Sequence, residues 1–175
     1  PYHVISRVFQ GRYLLRPSRT LNRLIAGVIG RAQRLYSDTR IYAITAMSNH
    51  VHMMLQGPPR QLVAFIAYVK REISYRWGQH PDVNWPGTMW CEYICTALPT
   101  PESQTWCLEY ILGHGVKEGL VAKPQLWPGI NSAGPLLRDG VIKGEWFDGT
   151  AYCRAVDGER RRRHGSLCRQ SPAEH

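Results

Sequence analysis

Acidic residues are scarce in this chain. Thirteen aspartates and glutamates stand against 22 lysines and arginines, a formal charge of +9 with a pI near 9.6. That excess points to a polyanionic partner, either nucleic acid or an anionic membrane surface. No run approaches the ~20 apolar residues that would span a bilayer, and no signal-peptide pattern is present, so a cytoplasmic protein without a membrane segment is expected. The five cysteines (Cys91, Cys95, Cys107, Cys153, Cys168) are odd in number and include no CxxC pair. Neither a disulfide framework nor a zinc ribbon is suggested by this pattern, and reduced thiols are the simplest account. Internal repeats are absent as well. At 175 residues the chain fits one domain with an ordinary core.

The apolar pattern supplies the architecture. Residues 2–9, YHVISRVF, are rich in β-branched and aromatic side chains and read as a strand ending in a turn at Gly11. After a basic loop, Leu21, Leu24, Ile25, Val28, Ile29, Ala32 and Leu35 recur with helical spacing and form one apolar stripe. IYAITAM (41–47) reads as a second strand, Ser48-Asn49 as a turn and HVHMMLQ (50–56) as a third strand, stopped by Pro58-Pro59. A second amphipathic helix is expected over about 60–77, with Leu62, Phe65, Ile66, Val69 and Ile73 inward. GQHPDVNWPG is a loop by composition, and MWCEYICTAL (89–98) regains strand character. Thr100-Pro101-Glu102 is a helix start, with Thr as cap, Pro in the first position and acid in the first turn. The third helix is expected to run to about Leu112.

Strand, helix, strand, strand, helix, strand, helix is the order of a ferredoxin-like split βαβ unit followed by one extra helix. The expected fold class is therefore α+β: an antiparallel sheet with two helices on one face and the added helix on the other. The catalytic-sized domain would occupy residues 1–156. Residues 157–175 hold ERRRRHGSLCRQSPAEH, too poor in apolar side chains to pack, and read as a mobile basic tail.

MSNHVHMML (47–55) raises the chemical question. In a strand His50, His52, Met54 and Gln56 share one face, and Val51, Met53 and Leu55 share the other. Both imidazoles thus sit side by side on the face left for the third helix, a spacing that suits two ligands of one metal ion. The same spacing also describes two partly exposed histidines on a sheet surface. In the third helix Tyr110 and His114 are four residues apart and share a face. Of nine tyrosines, only Tyr110 is followed by a histidine at that distance. An ordinary core aromatic and a dipole-favoured histidine at a helix end would give the same pattern.

Together these motifs resemble the HUH single-tyrosine transposases, and within them the REP-associated tyrosine transposase branch. MSNHVHMML is similar to the family's His-hydrophobe-His strand, EYILGHGVKEGLVAKPQLWP (109–128) to its tyrosine helix and the segment after it, and GTMW (87–90) to the stretch before its last strand. The resemblance covers roughly residues 2–130. It implies cleavage and rejoining of single-stranded DNA at hairpin-forming elements and association with the nucleoid. In that reading His50 and His52 hold a divalent metal, Mg²⁺ or Mn²⁺, against the scissile phosphate, and Tyr110 attacks it to give a 5′-phosphotyrosine. A phenol, with a pKa near ~10, needs such help at neutral pH. Family members usually carry an amide four places after the tyrosine, often followed by proline. Here His114 stands between Gly113 and Gly115, and His114 is expected to be the third ligand. Three imidazoles favour Mn²⁺ or a later transition metal over Mg²⁺. The branch leans monomeric, although relatives include dimers that exchange tyrosine helices.

Basic residues suit the same substrate. Arg7, Arg12, Arg16 and Arg19, then Lys70, Arg71 and Arg76, and Arg160 to Arg163 could neutralise phosphates, while Tyr13, Trp85 and Trp90 could stack unpaired bases. Charge runs are more often plain solvated faces. Two other functions fit parts of the sequence: a hairpin-binding protein that no longer cuts, and a metal hydrolase, against which stands the absence of any further His or Asp cluster soon after His52. Tyr75 is the one backup nucleophile, and it reads better as structural.

Overall fold

In the computed structural model, which describes residues 1–81, 83–85 and 87–148, the first strand, β1 (Tyr2–Val8), lies between its neighbours rather than at an edge. It pairs antiparallel with β3 (His50–Gln56) on one side and β4 (Trp90–Ala97) on the other, and β2 (Arg40–Ala46) pairs antiparallel with β3. The order β2-β3-β1-β4 is the ferredoxin-like one. Residues Pro1–Glu145 form one compact unit. The expected domain end near 156 and the basic tail, including Arg160 to Arg163, fall outside the described residues.

Two helices cover one face of the sheet. Helix α1 (Arg19–Leu35) starts at Ser18, whose hydroxyl accepts from the Leu21 amide at 3.1 Å, and it buries Leu21, Ile25, Val28, Ile29 and Ala32. Leu35, the last member of the stripe, is exposed where the helix ends. Helix α2 (Pro59–Gly78) buries all five expected inward residues, with Phe65 fully enclosed. Burying such a side chain contributes about 1.5–3 kcal/mol.

Helix α3 (Pro101–Lys117) covers the opposite face. Thr100 caps it: its hydroxyl accepts from the Ser103 amide at 3.2 Å, and Ser103 Oγ accepts from the Thr100 amide in return. Ile111 and Cys107 pack on Met54 of β3, Ala43 of β2 and Leu98. The helix runs five residues beyond the expected end at Leu112. Gly113 lies in its interior with nothing crowding the place of a Cβ, whereas a Cβ on Gly115 would press within 3.2 Å of Val121 and 3.3 Å of Trp127. Gly115 is therefore a packing glycine, and the helix continues through both.

After α3 the chain passes a 3-10 turn at Pro124–Leu126 and runs along the open edge of β2. The Ala46 amide donates to Ile130 O at 2.8 Å, Ser132 N to Ile44 O at 2.9 Å, and Trp127 Nε1 to Ala46 O at 2.9 Å. Asn131 Nδ2 donates to both Thr45 Oγ1 and Leu112 O, tying edge strand and tyrosine helix together. A sheet edge that could pair with another chain is thereby covered.

Candidate metal and nucleophile site

The strand period delivers the histidines as expected. Across β1, His50 stands opposite Arg7 and His52 opposite Ile5, so His3, Ile5 and Arg7 share their face. From α3, His114 enters the same space. Because the helix is unbroken at Gly113, His114 stays one turn beyond Tyr110, and both reach the histidine pair. One nitrogen from each of His50, His52 and His114 lies within 4.8 Å of the other two. His50 Nε2 and His114 Nε2 are 3.0 Å apart. Tyr110 sits against them, its ring centroid 5.4 Å from that of His52 and 5.0 Å from that of His114.

The far sides of two of the rings, those of His50 and His52, are held. Asn49 Oδ1 accepts from His50 Nδ1 at 2.6 Å, and the Asn49 amide nitrogen donates to Gly11 O, which fixes the orientation of that side chain. This leaves the His50 Nε2 lone pair pointing at His114. His52 Nδ1 meets His3 Nε2 at 3.0 Å, and His52 Nε2 is buried with no hydrogen-bond partner. His3 is the site residue that the sequence reading missed. A histidine alone on a strand carries no spacing signal, and only the β1–β3 register puts it diagonal to His52.

Burial, helped by neighbouring rings and by Arg7, keeps these imidazoles neutral. His52 is pushed down to about 2, by burial first and then by His50, His114, His3 and Arg7. His50 is pushed down to about 4 by burial, His114 and Arg7. Burial also lowers His3 and His114. Neutral imidazoles offer lone pairs, and an unpaired buried nitrogen costs on the order of 1–3 kcal/mol that a coordinated cation removes. The His50–His52–His114 set therefore fits a divalent metal ion. Two of its rings, His50 and His52, are anchored through the nitrogen turned away from the site, as metal-bound histidines are, whereas His114 Nδ1 is buried without a hydrogen-bond partner.

The cleft in front of these groups has a volume of about 550 Å³ and also holds Arg7, Tyr13, Arg16 and Glu118. Arg16 lies over the Tyr13 ring. Arg12 stands over the Trp85 ring, 4.6 Å from its centre, outside the cleft lining. The α2 residues are elsewhere. Lys70 donates to Cys91 O at 2.7 Å, and Arg71 and Arg76 each reach Glu72 at 3.2 Å, all on the helix that covers the other face. Trp90 is buried with its indole nitrogen donating to Lys70 O at 3.0 Å, so its ring packs β4 onto α2 and offers no face to a base. Tyr75 is exposed on α2, away from the histidines. Cys91, Cys95 and Cys107 are free thiols.

Neither a family model nor a curated protein matches the sequence. Among solved structures, a REP-associated tyrosine transposase bound to a REP hairpin superposes with a TM-score of 0.64 at 15% identity, over 84% of this chain and 85% of that one. A proposed transposase from Deinococcus radiodurans superposes more loosely, with a TM-score of 0.45 at 17% identity over 69% of this chain and 90% of its own, and adds nothing to the fold assignment. No helix among the described residues is long and apolar enough to cross a membrane. The chain has the fold of a REP-associated tyrosine transposase, an α+β sheet with its tyrosine-bearing helix laid over the histidine face.

Proposed function

We propose that this chain is a single-tyrosine HUH transposase of the REP-associated branch: a metal-dependent single-stranded DNA endonuclease and strand transferase that acts at hairpin-forming elements through a 5′-phosphotyrosine. The observation that carries this reading is the convergence of three neutral histidines on one helix-borne tyrosine, with His52 and Tyr110 ring centres 5.4 Å apart. The shared fold with a transposase bound to a REP hairpin supports hairpin DNA as the partner.

The residues divide the work as follows. His50, His52 and His114 hold the cation, and Asn49 and His3 orient two of those rings. When bound, the divalent cation polarises the scissile phosphate and offsets charge on the departing oxygen. Tyr110 Oη attacks the phosphorus, the bond to the 3′-oxygen breaks, the phenol gives up its proton and the departing oxygen gains one. The product is a phosphodiester to Tyr110 and a free 3′-hydroxyl. Since one phosphodiester replaces another, a second 3′-hydroxyl can reverse the step without ATP. Trp106 stacks on the Tyr110 ring at 5.3 Å and Lys117 lies 4.4 Å from its centre, so the nucleophile is held between an aromatic plane and a cation.

The test is covalent trapping. Protein, Mn²⁺ or Mg²⁺ and labelled single-stranded hairpin oligonucleotides are incubated and run on a denaturing gel beside Tyr110→Phe. A metal-dependent protein–DNA band in the native chain that disappears in the variant is the expected result. Tight binding with no adduct from any hairpin strand would instead identify a binding protein that no longer cuts.

A further inference from the structure

Among the residues that line the cleft, Glu118 is the one carboxylate, beside two arginines and three imidazoles. It sits at the C-terminal cap of α3, where a negative side chain opposes the helix dipole and costs helix stability instead of adding to it. Its Oε1 is 4.0 Å from His114 Nε2, the same nitrogen that faces His50 Nε2 at 3.0 Å. Two ligands that each stand ~2.1 Å from one ion are separated by roughly 3 to 4.2 Å. Glu118 is thus within ligand spacing of His114 Nε2, while its carboxylate stands outside the cluster in which the three histidine nitrogens lie within 4.8 Å of one another, so it joins that cluster by rotating its side chain inward. It is also half-exposed, so its side chain can swing.

We infer that Glu118 supplies a fourth, carboxylate ligand to the metal held by His50, His52 and His114, making the centre a three-histidine, one-carboxylate site. This rests on the metal site of the proposed function and adds its oxygen donor. Helical spacing explains the arrangement: His114 and Glu118 are four residues apart and lie on one face, so one helix turn presents an imidazole and a carboxylate to the same point. A hard oxygen donor biases a three-imidazole site, which alone suits later transition metals, back toward Mn²⁺ and Mg²⁺.

The experiment is calorimetric titration of the chelator-stripped, full-length protein with Mn²⁺ and separately with Ni²⁺, for the native chain, E118Q and H52A. The expected result is a Mn²⁺ affinity weaker by about tenfold in E118Q with a smaller loss for Ni²⁺, so that the ratio of the two affinities shifts. The metal-free melting temperature of E118Q should equal or exceed that of the native chain, since a charge opposed to the dipole is gone. Equal Mn²⁺ affinities in E118Q and the native chain, with binding abolished in H52A, would overturn the fourth ligand and leave the three-histidine site standing. Absence of binding in the native chain itself would overturn the metal site and this inference with it.

Discussion

His52 governs how the site responds to acid. Its ring is 1% exposed, its Nδ1 meets His3, and three other imidazoles and Arg7 crowd it. The folded chain resists protonating it down to about 2 and His50 down to about 4, while in the unfolded chain both take up protons near the ordinary 6.5. Below 6.5 the unfolded state therefore binds more protons than the folded state, and stability falls as pH falls. The contribution is complete above pH 6.5, declines from there toward pH 4 for His50 and continues to decline below that for His52. Thermal melts of metal-free protein should show a clear loss of melting temperature between pH 7.5 and 5, with a shallower loss in His52→Leu, which cannot take up the proton. Equal slopes would mean that other groups set the acid response.

At the scale of the element, the decisive feature is that α3 continues through Gly113. Glycine inside a helix costs roughly 0.5–1 kcal/mol relative to alanine, and nothing near Gly113 obstructs a methyl group. Gly113→Ala should therefore raise stability by roughly that amount in urea melts, with metal binding intact because His114 keeps its register. Gly115→Ala, which presses on Val121 and Trp127, should gain nothing or lose stability. If Gly113→Ala destabilises the chain, the helix breaks there in solution. This element also shows what could be read in advance. β3 was legible to the residue, because alternation and the Pro58-Pro59 stop are local signals. The start of α3 was legible from its cap. Its end was not, because a glycine that stops a helix and one that admits a neighbour look alike until Trp127 is seen against Gly115. His3 and the burial of Trp90 were hidden for the same reason: each depends on which strand or helix lies alongside, a relation between distant residues.

For the molecule as a whole, a charge of +9 does not mean that every face is a DNA face. On α2, Arg76 pairs with Glu72 and Lys70 donates to the Cys91 carbonyl, with burial lowering the Lys70 pKa, while Arg71 also reaches Glu72 but stays largely exposed. They also lie on the layer opposite Tyr110. Arg7 and Arg16 line the cleft beside the histidines, where a phosphate approaching Tyr110 must come. For a single strand, each phosphate contact contributes about 0.7 to the slope of log affinity against log salt. Arg7→Ala with Arg16→Ala should therefore lower that slope by about 1.4 and weaken binding of a single-stranded hairpin oligonucleotide, whatever its sequence. Arg71→Ala with Arg76→Ala should leave the slope unchanged, because those guanidinium groups give up an intramolecular partner to gain a phosphate. Affinities measured at several salt concentrations decide between the faces. A slope that falls with the α2 pair and not with the cleft pair would route the strand over α2, where no histidine among the described residues joins the three-histidine set and Tyr110 is out of reach. That outcome would separate DNA binding from the tyrosine site.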